Sequence, residues 1–297
     1  MPYQTDSPAL AVIDIGSNSV RMVIYDVQHS PPVKTFNEKV FCALGRDLAS
    51  TGLLHPEGVI AACKAIKAYH MICDVQHIQH VEIVGTAALR DAKDGTAFIK
   101  IIKEETGLDI RVISGDAEAR YAARGVLMDT PQASGVVADF GGGSLEFARL
   151  EQGHITDTIS LPLGAYRVMA LDDPKEVSFA RFLDPIFVRF GQLSHFYAIG
   201  GSWRALAGAH QLEQKSTSAH IAPDVMIDFC RKVERMTTED LQSLYRLELP
   251  RAKLAPIAAF ALRSVLTHLQ PQVFEASNAG VRDGIVHEFL CTRGETR

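Results

Sequence analysis

The chain repeats itself. Val12-Ile13-Asp14-Ile15-Gly16-Ser17-Asn18-Ser19 and Val137-Ala138-Asp139-Phe140-Gly141-Gly142-Gly143-Ser144 match Asp on Asp, Gly on Gly and Ser on Ser at a constant offset of 125 residues. In each copy an apolar run reaches an Asp, a turn of small residues follows, and a second apolar run returns, which reads as a strand, a tight turn and a strand. Small turn residues let backbone N–H groups approach an anion with no side chain in the way. One Asp-x-Gly hairpin is an ordinary turn. Two in matching context describe a duplicated chain with one phosphate-gripping hairpin in each half.

At 297 residues the chain is long enough for two domains of roughly 130 to 150 residues, each with its own core. A formal net charge of −5 leaves no global basic footprint for nucleic acid or an anionic membrane, so a polyanion has to be drawn in by a local cluster. Met1 to Asp6 lack the basic and apolar regions of a secretory signal, and no apolar run approaches a membrane span. A cytoplasmic protein is expected. Cys42, Cys63, Cys73, Cys230 and Cys291 are odd in number and never in Cys-x-x-Cys spacing, which fits free thiols in a reducing compartment. His70, Cys73, His77 and His80 raise a zinc question, but they cannot share one helical face if a helix ends near Asp74. A solvated helix end is the expected reading there.

The pattern predicts strands at 9–15, 19–27 and 33–41, a helix near 56–74, a strand at 81–85, a helix at 94–106, a strand at 109–113 and a helix at 116–128. Asp129-Thr130-Pro131-Gln132 then breaks the chain and marks the expected domain junction. The second half predicts strands at 135–140, 144–150 and 154–161, helices near 164–171 and 176–193, a strand at 195–199 and a helix at 202–212. Helices between 223 and 245, a helix at 251–268, a strand at 272–276 and a last helix at 283–291 complete it. Three strands followed by alternating helix and strand, twice over, imply a duplicated α/β unit with a cleft between the copies.

Phosphoryl transfer asks a protein for positioning, charge neutralisation and an activated nucleophile. An Asp at each strand end, Asp14 and Asp139, suits a hydrated Mg²⁺ or Mn²⁺ beside phosphate oxygens. In Ile113-Ser114-Gly115-Asp116-Ala117-Glu118-Ala119-Arg120 a strand ends and a helix opens with two acidic residues in its first turn. The helix macrodipole explains one of them. The other is a candidate general base for water. Gly85-Thr86-Ala87-Ala88-Leu89-Arg90 is a second such junction, where the guanidinium fork suits a pair of phosphoryl oxygens. Phe196-Tyr197-Ala198-Ile199-Gly200-Gly201-Ser202 is a third, an anion-ready helix start, and Gly280-Val281-Arg282-Asp283-Gly284 closes the set.

Together, Asp14-x-Gly-Ser-Asn-Ser19, Gly85-Thr-Ala-x-Leu-Arg90, Ile113-Ser-Gly-x-x-Glu-Ala-Arg120, Asp139-x-Gly-Gly-Gly-Ser-x-Glu146 and Gly280-x-Arg-x-Gly284 resemble the exopolyphosphatase and guanosine pentaphosphate phosphohydrolase family (Ppx/GppA), within the actin, Hsp70 and sugar kinase superfamily. The resemblance implies duplicated ribonuclease H-like domains with an interdomain cleft: domain I over 1–128 plus 285–297, domain II over 129–284, and a C-terminal helix that crosses back to domain I. It implies Mg²⁺- or Mn²⁺-dependent release of terminal orthophosphate from inorganic polyphosphate, or alternatively from pppGpp, and it leaves the oligomeric state open, a homodimer being one assembly the fold family forms. Residue by residue, Glu118 matches the carboxylate that activates water and Asp139 a metal-associated carboxylate. Asp14 and Glu146 are the other metal candidates, and Arg90 is a phosphate clamp. Ser17, Asn18, Ser19, Gly141, Gly142, Gly143, Ser144, Gly201 and Ser202 form the phosphate-binding loops.

Three features depart from the family pattern. The acidic pair of many relatives is here Ala117-Glu118, and Trp203 stands where relatives carry a small polar residue, so the second-domain loop is expected to differ in shape. The sequence stops at Arg297 without the helical region of the long relatives, so distributive hydrolysis is expected, with Arg21, Arg90, Lys93, Arg120, Arg204 and Arg282 as the cationic contacts. A superfamily kinase would need an acceptor-binding insertion that the first half lacks. A non-catalytic alarmone sensor would not need Glu118, Asp139 and Asp14 together.

Overall fold

The computed structural model describes residues 9–172, 175–191 and 194–293. The chain divides into two units, residues 1–114 with 285–297 and residues 115–284.

The first unit opens with β1 (Ala9–Ile15), β2 (Ser19–Asp26) and β3 (Val33–Phe41), an antiparallel meander. Then come α1 (Leu48–Thr51), α2 (Pro56–Val75), β4 (His80–Gly85), α3 (Ala87–Asp91), α4 (Gly95–Thr106) and β5 (Arg111–Val112). The sheet order is β3-β2-β1-β4-β5, with β4 and β5 parallel to β1. Pro56 starts α2, where its missing N–H is no loss. Gly107, at φ 73°, ends α4 in the left-handed conformation that glycine accepts. Alternation sends Ala11, Ile13 and Ile15 of β1 and Val20, Met22 and Ile24 of β2 into one core with Ala62, Ile66 and Tyr69 of α2. β3, on the sheet edge, carries Lys34, Glu38 and Lys39 outward. The expected strand 109–113 shrinks to two exposed residues, because only Arg111 and Val112 meet a partner on β4.

The second unit begins with α5 (Gly115–Asp129), then β6 (Gly135–Phe140), β7 (Leu145–Glu151), β8 (His154–Leu161), α6 (Ala165–Met169), α7 (Lys175–Phe190), β9 (His195–Ile199), α8 (Gly201–Gln214), β10 (His220–Ile221), α9 (Pro223–Val233), α10 (Thr238–Tyr245), α11 (Leu249–Leu269) and β11 (Val273–Ala276). Its order, β10-β11-β9-β6-β7-β8, repeats that of the first unit with one extra edge strand. β6, β7 and β8 take the places of β1, β2 and β3, and β9 and β11 run parallel to β6 as β4 and β5 do to β1. The fold is the expected duplicated ribonuclease H-like α/β arrangement. α11 is apolar around much of its circumference and threads the core, burying Ala252, Ala258, Leu262, Val265 and Leu266. Thr237 and Asp240 close a reciprocal capping box at the start of α10. Helix α12 (Val281–Thr292) then returns to the first unit, where Phe289 packs on His80 with ring centroids 5.2 Å apart.

The boundary falls at Gly115, not at the expected Asp129. The reason is α5, which packs on β6, β7 and β8. The expected helix over 176–193 is α7; its residues 192–193, like Met1 to Asp6, lie outside the described residues. Short α1, α3 and β10 were beneath the resolution of a periodicity reading. Among the described residues, no helix is long and apolar enough to cross a membrane.

Candidate active site

The two hairpins close with the same hydrogen bond. In the first unit Gly16 N donates to Ser19 O at 3.0 Å, and in the second Gly141 N donates to Ser144 O at 3.0 Å. Each turn is held by its carbonyls. Asn18 O accepts from Cys42 N and Ala43 N, and Ser17 O from Gly45 N at 2.8 Å; Gly141 O and Gly142 O accept from Ala165 N and Tyr166 N at 3.0 Å. A glycine presses on each: a Cβ on Gly45 would lie 2.7 Å from Ser17 Cβ, and one on Gly164 2.3 Å from Gly143 N. Side chains are thus excluded where the turns are braced. Ser17 Oγ is buried with no hydrogen-bond partner, a polar atom suited to an incoming phosphoryl oxygen.

Register also pairs the Asp residues. Asp14 lies opposite Arg21, and Asp139 lies opposite Glu146. Glu146 is 1% exposed and accepts the Ser160 hydroxyl on Oε1 at 2.8 Å. Two carboxylates directly opposite on neighbouring strands repel. A donor set of carboxylate oxygens in that arrangement fits a hard cation such as Mg²⁺ or Mn²⁺.

In open α/β sheets ligands gather at the carboxyl ends of the strands. In the first unit β1 and β4 end together, with Thr86 N bonded to Ile15 O at 3.1 Å, which sets the start of α3 beside the Asp14 hairpin. Arg90, one turn into α3, donates from Nη1 to Ile113 O at 3.1 Å and lies 3.3 Å from Asp91. The first unit therefore gathers Asp14, Ser17, Asn18, Ser19 and Arg90 at the end of the sheet where β1 and β4 stop.

The second unit gathers Asp139, the Gly141–Ser144 turn, Gly201 and Ser202 at the matching end of its sheet, with Arg282 close enough to act on the charge of Arg204. Gly200 adopts φ 94°, and a Cβ there would lie 2.8 Å from Asp139 Oδ1, so the start of α8 sits against Asp139 because glycine permits it. Arg204 donates to Asn278 O at 2.8 Å. Burial, then the charge of Arg282, pull its pKa below the ordinary arginine value, while Asp139 and Asp283 oppose them. Trp203 does not shape the loop as expected. It is fully buried, stacked on Phe140 at 5.2 Å, and donates Nε1–H to Ala258 O at 3.0 Å, so it is a core residue beneath the loop.

The two acidic residues that open α5 separate cleanly. Asp116 is held below the ordinary carboxylate range first by the Thr158 hydroxyl and then by Arg120 at 2.9 Å. Glu118 is buried at 7% exposure. The N-terminus of α5 rests on Ser160, the Glu146 partner, since a Cβ on Gly115 would lie 2.2 Å from Ser160 Oγ.

As expected, His70, Cys73, His77 and His80 do not come together as a metal cluster. Cys73 is buried with Sγ 3.8 Å from Met22 Sδ, His70 lies against Asp74, and His80 packs against Phe289 with the rings tilted 59°. Sequence reasoning missed Arg251. Its Nη2 comes within 3.9 Å of a Cβ built on Gly201, and its buried Nε has no hydrogen-bond partner. Nothing in Leu249-Pro250-Arg251 distinguishes it from a surface arginine.

Duplicated ribonuclease H-like units, each with a glycine-braced hairpin, define a class of two-unit α/β proteins. Within it, the chain belongs to the Ppx/GppA phosphatase family, whose model matches residues 22–292. A bifunctional 3-dehydroquinate synthase/phosphatase of Fusobacterium nucleatum is 33% identical over 168 residues, 53% of this chain and 25% of that protein. Exopolyphosphatase 2 of Mycobacterium tuberculosis is 29% identical over 191 residues, 59% of this chain and 60% of that protein. The matches thus span a quarter and three fifths of those relatives. An exopolyphosphatase from Cytophaga hutchinsonii shares the fold with a TM-score of 0.86 at 21% identity, over 96% of this chain and 98% of that one. The Aquifex aeolicus Ppx/GppA family member does so with a TM-score of 0.77 at 22% identity, over 97% and 99%.

Proposed function

We propose that the chain is a phosphoanhydride hydrolase that releases the terminal orthophosphate of inorganic polyphosphate. The observation that carries this reading is the division of labour at the start of α5: Asp116 is engaged by Thr158 and Arg120, while Glu118 is buried. The name of the mycobacterial relative, an exopolyphosphatase, supports polyphosphate as the substrate class.

In this reading a water attacks the terminal phosphorus and passes its proton to Glu118. The bridging P–O bond breaks, and its electron pair leaves on the shortened chain. Arg90 neutralises a pair of phosphoryl oxygens, and the glycine-braced turn at 141–144, like its counterpart at 16–19, offers backbone N–H groups to phosphoryl oxygens. Asp139 and Glu146, with Asp14 as a further candidate, would hold Mg²⁺ or Mn²⁺, which when bound neutralises charge on the phosphoryl oxygens.

Glu118→Gln is the test. Loss of a general base lowers turnover by roughly 10² to 10⁴ while polyphosphate still binds. Phosphate release is compared for polyphosphate, pppGpp and ATP with parent and variant. A variant that hydrolyses at the parent's rate removes Glu118 from the mechanism, and a parent that prefers pppGpp replaces the substrate.

A further inference from the structure

We propose a second metal site, of the zinc class, on the edge of the second unit's sheet, built from His195, His220 and Glu275. The ligating atoms of these side chains all lie within 4.8 Å of one another.

Sheet register brings them together. His220 on β10 lies directly opposite Glu275 on β11, and Glu275 is paired in turn with Tyr197 of β9, two residues beyond His195. Side chains alternate along a strand. Phe196, Ala198, Phe274 and Ile221 point into the core, so His195, Glu275 and His220 share the opposite face. His220 Nε2 already lies 3.1 Å from Glu275 Oε2, and the two imidazole centroids are 5.8 Å apart at 77°. Gly135, at φ 137°, admits the His195 backbone, since a Cβ there would meet His195 O at 2.3 Å.

The donor chemistry selects the ion. Two imidazoles and one carboxylate suit Zn²⁺ and its borderline neighbours, whereas Mg²⁺ and Ca²⁺ ask for oxygen alone. Ligand atoms on a tetrahedral zinc, with bonds of about 2.0 to 2.1 Å, stand about 3.3 Å apart. Rotation of the exposed His220 side chain, 64% accessible, closes the difference without moving a strand. The fourth position opens to water. The consequence is mechanical: β10 is two residues long and hangs on β11 alone, and the ion clips it to β9 as well, fixing the connection between α8 and α9. This site shares no residue with the proposed phosphate chemistry and does not depend on it.

Isothermal titration of the metal-stripped full chain with Zn²⁺, in a Cys291→Ser background that removes the His287–Cys291 pair on α12, is the test. One site is expected, weakened roughly tenfold or more by His220→Gln and by Glu275→Gln and unchanged by His154→Ala. Zn²⁺ raises the melting temperature of the parent and not of His220→Gln, and Co²⁺ in its place gives visible bands with no thiolate charge-transfer band. Because His220 is exposed, its variant melts like the parent when no metal is added. Equal zinc affinity for parent and His220→Gln overturns the proposal, leaving the three residues as a cross-strand ion pair with a neighbouring ring.

Discussion

The Gly141–Ser144 turn owes its position to Gly164, which makes that position open to perturbation. Gly164 precedes α6 at φ −69° and ψ 168°, a conformation any residue adopts, so alanine brings no backbone strain. Its methyl would lie 2.3 Å from Gly143 N and Ser144 N and 2.4 Å from Gly142 C, where ordinary contact begins at 3.4 Å. The turn or α6 must therefore retreat by roughly 1 Å. Overpacking of this kind costs about 1 to 3 kcal/mol. In a unit of this size that lowers the melting temperature by roughly 2 to 12 °C. A 1 Å displacement of a group that positions the reacting phosphate costs on the order of 10² in kcat/KM.

The assay is phosphate release from polyphosphate, well below the melting temperature, with Gly208→Ala alongside. Gly208 is exposed in α8 with nothing within 4 Å of an added methyl. Alanine there should stabilise by roughly 0.5 to 1 kcal/mol and leave the rate alone. If Gly164→Ala destabilises as expected yet turns over like the parent, the turn does not hold the phosphate and the reasoning fails.

Two further outcomes follow from the titratable groups. Burial pushes the Cys42 and Cys73 thiols up to about 11 and Cys230 further still, while Cys291 is exposed; peptide mass spectrometry after iodoacetamide near pH ~8 should find Cys291 labelled first and those three only after unfolding. Glu213 is held below its ordinary 4.5 first by Lys232 and then by the Tyr245 hydroxyl, so its stabilisation is present above 4.5 and lost as pH falls through the lower folded value. The melting-temperature gap between parent and Glu213→Gln should accordingly be widest near neutrality and vanish in acid, and a gap that grows on acidification contradicts it.

How much of this was legible in the sequence depended on the range of the interaction. The hairpins could be read because their signal is local: an apolar strand, an Asp and small residues that admit close backbone contact, seen twice. Long helices could be read from periodicity and, for α2, from Pro56 at its start. The unit to which α5 belongs could not, because 116–128 is apolar on a face that any sheet could cover; its place on β6, β7 and β8 is a tertiary choice. Arg251 and the His195–His220–Glu275 group were invisible for the same reason. Their members are separated by 25 to 80 residues in sequence, and only strand order makes them neighbours. Trp203 is beside Gly201-Ser202 in sequence but not in the loop, because one residue along a helix start turns a side chain into the core.

The duplication also shows where its two copies diverged. The same offset of 125 residues that sets Asp14 on Asp139 sets Arg21 on Glu146, and in both copies that residue lies opposite the Asp. One hairpin thus sets an arginine opposite its Asp in the register, while the other sets a buried glutamate there. Arg204 offsets part of that charge at Asp139, and the opposed pair offers a cation more carboxylate oxygens than Asp14 alone does. Metal affinity should therefore follow the second unit. Glu146→Gln keeps an acceptor for Ser160 and removes the opposition, so the metal-stripped variant should be as stable as the parent or more so, by up to about 1 kcal/mol. The stabilisation that Mg²⁺ gives the parent should shrink in this variant more than in Asp14→Asn. Thermal melts with and without Mg²⁺ read both effects, and a larger loss of the Mg²⁺ response in Asp14→Asn would move the metal to the first unit's hairpin.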